Sequence, residues 1–128
     1  MRYLLLAIGL VFSTPVAAEK ASLRLLCTVY KSSDGTVERE VPRPKDLITV
    51  LYSGEGEATI TTTLHQRQLT GTVTDHEISG RWTGSGSSED IYINRYTTEY
   101  RYRAFVDDPM RSPTSIFGSC QRAGMPTS

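Results

Sequence analysis

Between Leu23 and Arg122 apolar side chains recur at every second position, and this period of two dominates the chain. Leu23, Leu25, Cys27 and Val29 alternate with Arg24, Leu26 and Thr28, and Ala58, Ile60, Thr62 and Leu64 alternate with Thr59, Thr61 and Thr63. Leu69, Gly71 and Val73 repeat the pattern against Thr70, Thr72 and Thr74, as do Ile78, Gly80 and Trp82 against Glu77, Ser79 and Arg81. Successive side chains of a strand point to opposite faces, so such alternation marks strands with one buried and one wet face. No stretch carries a sustained helical period. Turn signals separate the segments: Lys31 to Gly35 reads as a turn closing on Asp34-Gly35, Ser53-Gly54-Glu55-Gly56 as a second turn, Gly84 to Ser88 as a flexible loop, and Asp107 to Pro113 as a loop with two prolines. Eight or nine short strands in regular succession imply an all-β fold.

Two cysteines refine this expectation. Cys27 lies in the first strong strand and Cys120 in the last, and neither belongs to a C-x-x-C motif or has a histidine beside it in sequence. In an exported protein such a pair reads as one intramolecular disulfide. A bridge between first and last strands suits a sheet closed on itself, which also removes exposed edges. We therefore expect a small antiparallel β-barrel of about eight strands, with a β-sandwich as the alternative.

The first eighteen residues read as an address. Arg2 supplies a positive start, Tyr3 to Phe12 form an apolar run of about ten residues, too short to span a bilayer, and Val16-Ala17-Ala18 places small residues at a cleavage site. Residues 1–18 are thus a secretory signal peptide and residues 19–128 a single barrel domain, periplasmic or secreted. No cysteine follows the cleavage site and no second long apolar run occurs, so neither a lipid anchor nor a membrane span is expected.

The motifs also carry a resemblance. The early Cys27, the Ile93-Asn94-Arg95-Tyr96-Thr97 run within Ile91 to Thr97, and the closing Gly118-Ser119-Cys120 resemble small exported proteobacterial β proteins of unknown function. These share an early Cys, an Ile-Asn-Arg-x-Thr-Gly turn and a late Gly-x-Cys. Thr98 stands here where that pattern prefers Gly. The resemblance implies a compact exported β fold and no activity. A more distant similarity is to the periplasmic C-type lysozyme inhibitors, small eight-stranded barrels with a disulfide and a Ser-Gly-x-Gly-type loop that enters the lysozyme cleft. Ser53-Gly54-Glu55-Gly56 and Ser85-Gly86-Ser87-Ser88 are loosely similar to that loop.

The formal net charge is zero, which argues against a nucleic-acid partner. No phosphate-binding glycine loop, nucleophile elbow or ordered triad is present, and Glu55/Glu57, Glu89/Asp90 and Asp107/Asp108 read as turn and loop charges, so no enzymatic activity and no catalytic residue is expected. His65 and His76 bracket a hairpin, with Asp75 and Glu77 nearby, but two histidines at turns read as solvated, so no metal or cofactor is expected. The threonines at 59, 61, 63, 70, 72 and 74 suit the wet side of a hairpin. The densest chemistry lies in Arg95 to Arg103. Arg101 and Arg103 share one face of a regular strand, and with Arg81 form a row able to hold a carboxylate or phosphate, or to pair with Glu89, Asp90 or Glu99. Tyr100 and Tyr102 take the other face. Tyr and Arg are also the residue types enriched at protein interfaces. Candidate partner-binding residues are Arg81, Arg95, Tyr96, Tyr100, Arg101 and Arg103, with Ser53 and Glu55 in the inhibitor-like loop.

The reading is an exported, monomeric, non-enzymatic binding protein for a protein or envelope component, with a lysozyme-inhibitor-like role as its specific form. Trp82 shares the register of Ile78 and Gly80 and reads as core, with Gly80 leaving room for its large ring. The alternative is a calycin-like carrier of a small apolar ligand, with Trp82 and Tyr92 instead lining its pocket. The leader is directly testable: N-terminal sequencing of the protein recovered outside the cytoplasm should begin at Glu19, and recovery of a chain starting at Met1 would refute it.

Overall fold

A computed structural model describes residues 21–123, apart from Thr36, Glu55 and Pro109. The signal-peptide segment lies outside the described residues. Nine strands follow one another: β1 (Ala21–Asp34), β2 (Val37–Glu40), β3 (Lys45–Tyr52), β4 (Glu57–Thr62), β5 (Arg67–Val73), β6 (Glu77–Gly84), β7 (Ser87–Asn94), β8 (Glu99–Val106) and β9 (Thr114–Arg122). Each pairs antiparallel with its neighbours, β3 through β9 run in sequence order, and β9 returns to β1. Eight strands therefore close an antiparallel barrel, and β2 is an additional strand on β1. The barrel is the architecture expected first. Among the described residues no helix is long and apolar enough to cross a membrane.

Closure depends on β1. Its first half pairs with β3, from Ala21↔Tyr52 to Thr28↔Lys45, and its second half with β2, from Lys31↔Glu40 to Asp34↔Val37. The segment expected to be a turn, Lys31 to Gly35, is strand as far as Asp34, because β2 and β9 flank it on both sides; Gly35 then turns the chain at φ 83°. Along its other edge β1 pairs with β9, and Cys27 stands directly opposite Cys120 in that ladder, where the two form the disulfide. Such a bridge belongs to an oxidising compartment outside the cytoplasm. A register shift between Val29 and Lys31 leaves Tyr30 as the extra residue of a bulge. Gly118 faces this bulge, where an added Cβ would lie 2.2 Å from the Thr28 carbonyl oxygen and 3.1 Å from the Val29 Cα. Both ends of the Gly-Ser-Cys segment thus have a physical reason: the glycine admits the bulged strand and the cysteine bridges to it.

The inward register of every strand is apolar in the middle of the barrel. Ile48, Val50, Ile60 and Leu69 have no accessible surface, so the middle of the barrel is filled, and Ile78 lies below a recess of about 210 Å3 at the end bordered by Leu23, Leu25 and Ile93. Gly71 and Gly80 face each other across β5 and β6, and a Cβ on Gly80 would strike the Ile60 Cδ1 at 2.7 Å. Gly80 therefore makes room for Ile60. It is Gly84 that makes room for the Trp82 ring, whose Cη2 lies 2.4 Å from the site of an added Cβ.

Two turns depart from expectation. Gly84 to Ser88 is a tight hairpin, since β6 ends at Gly84 and β7 begins at Ser87. In the β7–β8 turn, Thr98 adopts φ 67°, left-handed backbone that costs a β-branched residue of order 1–3 kcal/mol. It is held there by its amide on the Asn94 carbonyl at 2.8 Å and by its own carbonyl on the Cys120 amide at 2.9 Å. This is the position at which the resembling proteins prefer glycine.

The bridge should carry a large share of stability. Replacing Cys27 and Cys120 together by alanine should lower the unfolding free energy by about 4–5 kcal/mol, the chain-entropy value for a loop on the order of 100 residues. Urea titration measures it; a loss under about 1 kcal/mol would mean that the β1–β9 ladder closes the barrel unaided.

Candidate binding surface

The pleat assigns the charged residues of β5 to β8 to two separate networks, one inside the barrel mouth and one on its outer wall. Asp46, Arg67 and Glu89 share the register of Ile48, Leu69 and Ile91 and so turn inward. Asp46 is fully buried. Its Oδ2 accepts from Thr62 Oγ1 at 3.0 Å and from the Tyr100 hydroxyl at 2.8 Å, and its Oδ1 accepts from the Leu64 amide at 3.0 Å. Three donors offset the cost of burying the carboxylate. His65 Nε2 lies 3.0 Å from the Tyr100 oxygen, and its ring stacks on Tyr102 at 3.7 Å between centroids. Because the Tyr100 proton is committed to Asp46, the neutral imidazole carries its proton on Nε2 and donates it to Tyr100. Tyr102 donates to Glu89, which also accepts from Arg67 Nε at 3.2 Å, and the Arg67 guanidinium lies 3.8 Å over the Trp82 ring.

This network corrects two expectations. His65 is a half-buried member of it, not a solvated turn residue, and His76 sits at the other end of β5, with its ring 5.2 Å from Tyr96. Tyr100 is buried inside the barrel, so it offers nothing to a partner at the surface. Sequence reasoning missed Asp46 and Arg67, and it took Glu89 and Asp90 for turn and loop charges, whereas both lie within β7. The signal was present as charged residues in register with apolar ones.

The outer wall gathers the arginines. One cross-strand row runs Thr70, Arg81, Asp90, Arg103, Ser115 over β5 to β9. Asp90 accepts from Arg103 Nε at 3.0 Å and Nη2 at 2.8 Å, a two-pronged pair, while Arg81 Nη2 lies 3.6 Å from Asp90 Oδ2. The Asp90 hydrogen bond pushes the Arg103 pKa further up. Both guanidinium groups also lie over Phe105, Arg103 at 5.1 Å and Arg81 at 5.9 Å. The adjacent row runs Tyr92, Arg101, Phe117, Lys31, so aromatic and cationic side chains alternate across four strands. Arg101 lies 5.2 Å over Tyr92 and Lys31 5.0 Å over Phe117. Arg101 Nε is buried with no hydrogen-bond partner among the described residues, a state that costs about 1–3 kcal/mol.

Arg81, Arg101 and Arg103 are therefore brought together, and of the three expected acids only Asp90 pairs with them. Arg95 and Tyr96 are not part of this wall. They occupy the β7–β8 turn, where Arg95 Nη1 donates to the Thr74 carbonyl at 2.8 Å and Tyr96 is exposed. Ser53 lies in the β3–β4 turn at that same end, with its carbonyl accepting from the Gly56 amide at 3.0 Å, and Glu55 lies outside the described residues. Trp82 and Tyr92 face opposite sides of the sheet and line no common pocket. The threonines separate too: Thr59, Thr61, Thr70 and Thr72 lie on the outer wall, whereas Thr63 accepts from the Leu47 amide of β3 and Thr74 from the amides of His76 and Glu77. No protein-family model, curated protein or solved structure matches the chain.

The mouth network sets the pH dependence of stability. Burial lowers the His65 pKa below 6.5, outweighing the opposing pull of Asp46 and Glu89. Below pH 6.5 the unfolded chain binds this proton first, so stability falls as pH drops toward the depressed native value. Burial, followed by the Asp46 and Glu89 contacts, raises the Tyr100 and Tyr102 pKa values above 10. Above pH 10 only the unfolded chain releases those protons, so stability falls again as pH rises. Urea midpoints from pH 5 to 11 should show both limbs, with His65→Gln flattening the acid limb and Tyr100→Phe the alkaline one. Limbs unchanged by these substitutions would exclude the network as their source.

Proposed function

We propose that this protein is an exported, non-enzymatic binding protein, periplasmic or secreted, whose outer wall over β6 to β9 docks a partner protein or envelope component. The observation that carries this reading is Phe105 between the guanidinium groups of Arg81 and Arg103, both held by Asp90. An aromatic ring flanked by ordered arginines is the composition of an interface centre, and holding it on paired strands of a disulfide-bridged barrel reduces the ordering cost on docking. The filled barrel middle disfavours the calycin-like carrier, since Ile48, Val50, Ile60 and Leu69 have no accessible surface.

A lysozyme-inhibitor-like role is supported at one place. The Ser85-Gly86 turn adjoins a recess of about 320 Å3 that also includes Arg81 and Phe105, so a cleft entered by this hairpin would meet the arginine wall as well. The Ser53 turn lies at the opposite end of the barrel.

Capture from an envelope extract tests the reading. A partner held by the unaltered protein should also be held by Arg95→Ala, in the remote turn, and lost by Phe105→Ala with a weakening of roughly 2 kcal/mol, about thirty-fold. A set of captured proteins that is the same for all three would remove the wall from consideration. Lysozyme that stays fully active in excess of the purified protein would eliminate the inhibitor role.

A further inference from the structure

Every cation on the outer wall that lies in the Asp90 row has found its carboxylate, and Arg101 has not. Arg103 grips Asp90 with two nitrogens and Arg81 approaches it at 3.6 Å. Lys31, at the far end of the second row, lies 3.5 Å from Glu38. Arg101 has no ion pair and no hydrogen bond among the described residues, and its Nε is sealed from solvent. That N–H is closed to water and to an incoming acceptor alike, so the terminal nitrogens are the ones left to receive a partner.

The surroundings of Arg101 are already arranged. Its guanidinium is stacked over Tyr92, and Phe117 stands opposite it in the ladder, so its position is held by two aromatic neighbours. The bulged residue Tyr30, together with Lys31, Tyr92 and Phe117, borders a half-open recess of about 290 Å3 against it. Lys31 and Arg101 bring two positive charges to this recess and Glu99 one negative charge. The volume is near the lower bound for small-ligand pockets, which run from about 300 Å3 upward. It suits one anionic side chain presented by a docked surface better than a whole free ligand.

We propose that the recess beside Arg101 is the seat for an aspartate or glutamate side chain of a partner protein. The carboxylate accepts from the two terminal nitrogens of the Arg101 guanidinium, because Nε is closed to solvent, and it lies between the aromatic rings with Lys31 adding charge. This rests on the outer wall being the binding face, and adds the chemistry that its partner must carry. A lysine at position 101 would keep the charge but lose the planar pair of terminal N–H donors.

The test follows the Arg101 Nε–H directly by NMR in the 15N-labelled exported protein with its disulfide intact, the resonance being identified by its loss in Arg101→Lys. Blocked pentaglutamate is the probe, with pentaglutamine, inorganic phosphate and trigalacturonate as comparators. The expected result is a saturable shift of the Arg101 Nε–H with pentaglutamate, none with pentaglutamine, and at least tenfold weaker pentaglutamate binding in Arg101→Lys while the remaining backbone spectrum is unchanged. An unmoved Arg101 Nε–H, or undiminished binding in Arg101→Lys, overturns the proposal. An equal response to phosphate overturns it in favour of an unselective anion site, and a stronger response to trigalacturonate overturns it in favour of a glycan acid. If pentaglutamate moves the Arg81 and Arg103 resonances but not that of Arg101, the binding wall stands and the Arg101 seat falls; if no resonance of the wall moves, both fall.

Discussion

The pairing of β1 with β9 is the contact on which the other features depend. It joins the two ends of a sheet in which β3 to β9 follow one another in sequence and β1 stands beside β3, and so turns an open sheet into a barrel. Three local devices make it possible: the bulge that leaves Tyr30 unpaired, the missing side chain at Gly118, and the Cys27–Cys120 bridge in the same ladder. Closure also gives every strand a definite inside and outside. In an open sheet a one-residue slip would exchange those faces; here the bridged ladder pins the register.

The consequence is clearest at Glu89 and Asp90. These are neighbours in sequence and both acidic, yet the pleat sends them to opposite sides of β7. Glu89 faces the barrel mouth, where it accepts from Tyr102 and Arg67 and so belongs to the same inner network as Asp46, Tyr100 and His65. Asp90 faces outward and orders Arg81 and Arg103 around Phe105. The inner network fastens the ends of β3 to β8 to one another with hydrogen bonds that water cannot easily exchange, and the outer one displays fixed positive charge on a rigid support. Rigidity on the inside thus suits the recognition proposed for the outside, because side chains held on paired strands lose little freedom on docking.

Much of this was legible before any coordinates. The strands from Leu23 to Arg122 and the common face of Arg101 and Arg103 follow from a period of two, and the disulfide from a single cysteine pair placed in the first and last strands. The expected site nonetheless mixed three locations, because residues close in sequence were treated as close in space. Arg95 and Tyr96 fall in a turn at one end of the barrel, Tyr100 in the core, and only the remaining arginines on the wall. His65 was misjudged for a related reason. A turn residue reads as solvated, and only the position of Tyr100 and Tyr102 across the barrel shows that this turn folds over the mouth.

The amino-acid sequence alone determined that this chain is all-β, which residues of each strand share a face, and that its first and last strands carry the two halves of a covalent bridge. These are properties of local backbone geometry: alternation sets the face, and glycine, asparagine and proline set the turns. Tertiary structure decided which charged residues meet. Asp46 reaches Tyr100 across 54 positions of sequence, and the Phe117 ring lies beneath Lys31 only because β9 returns to β1. Such contacts depend on closure and on register between distant strands, and periodicity along a single strand carries no information about either.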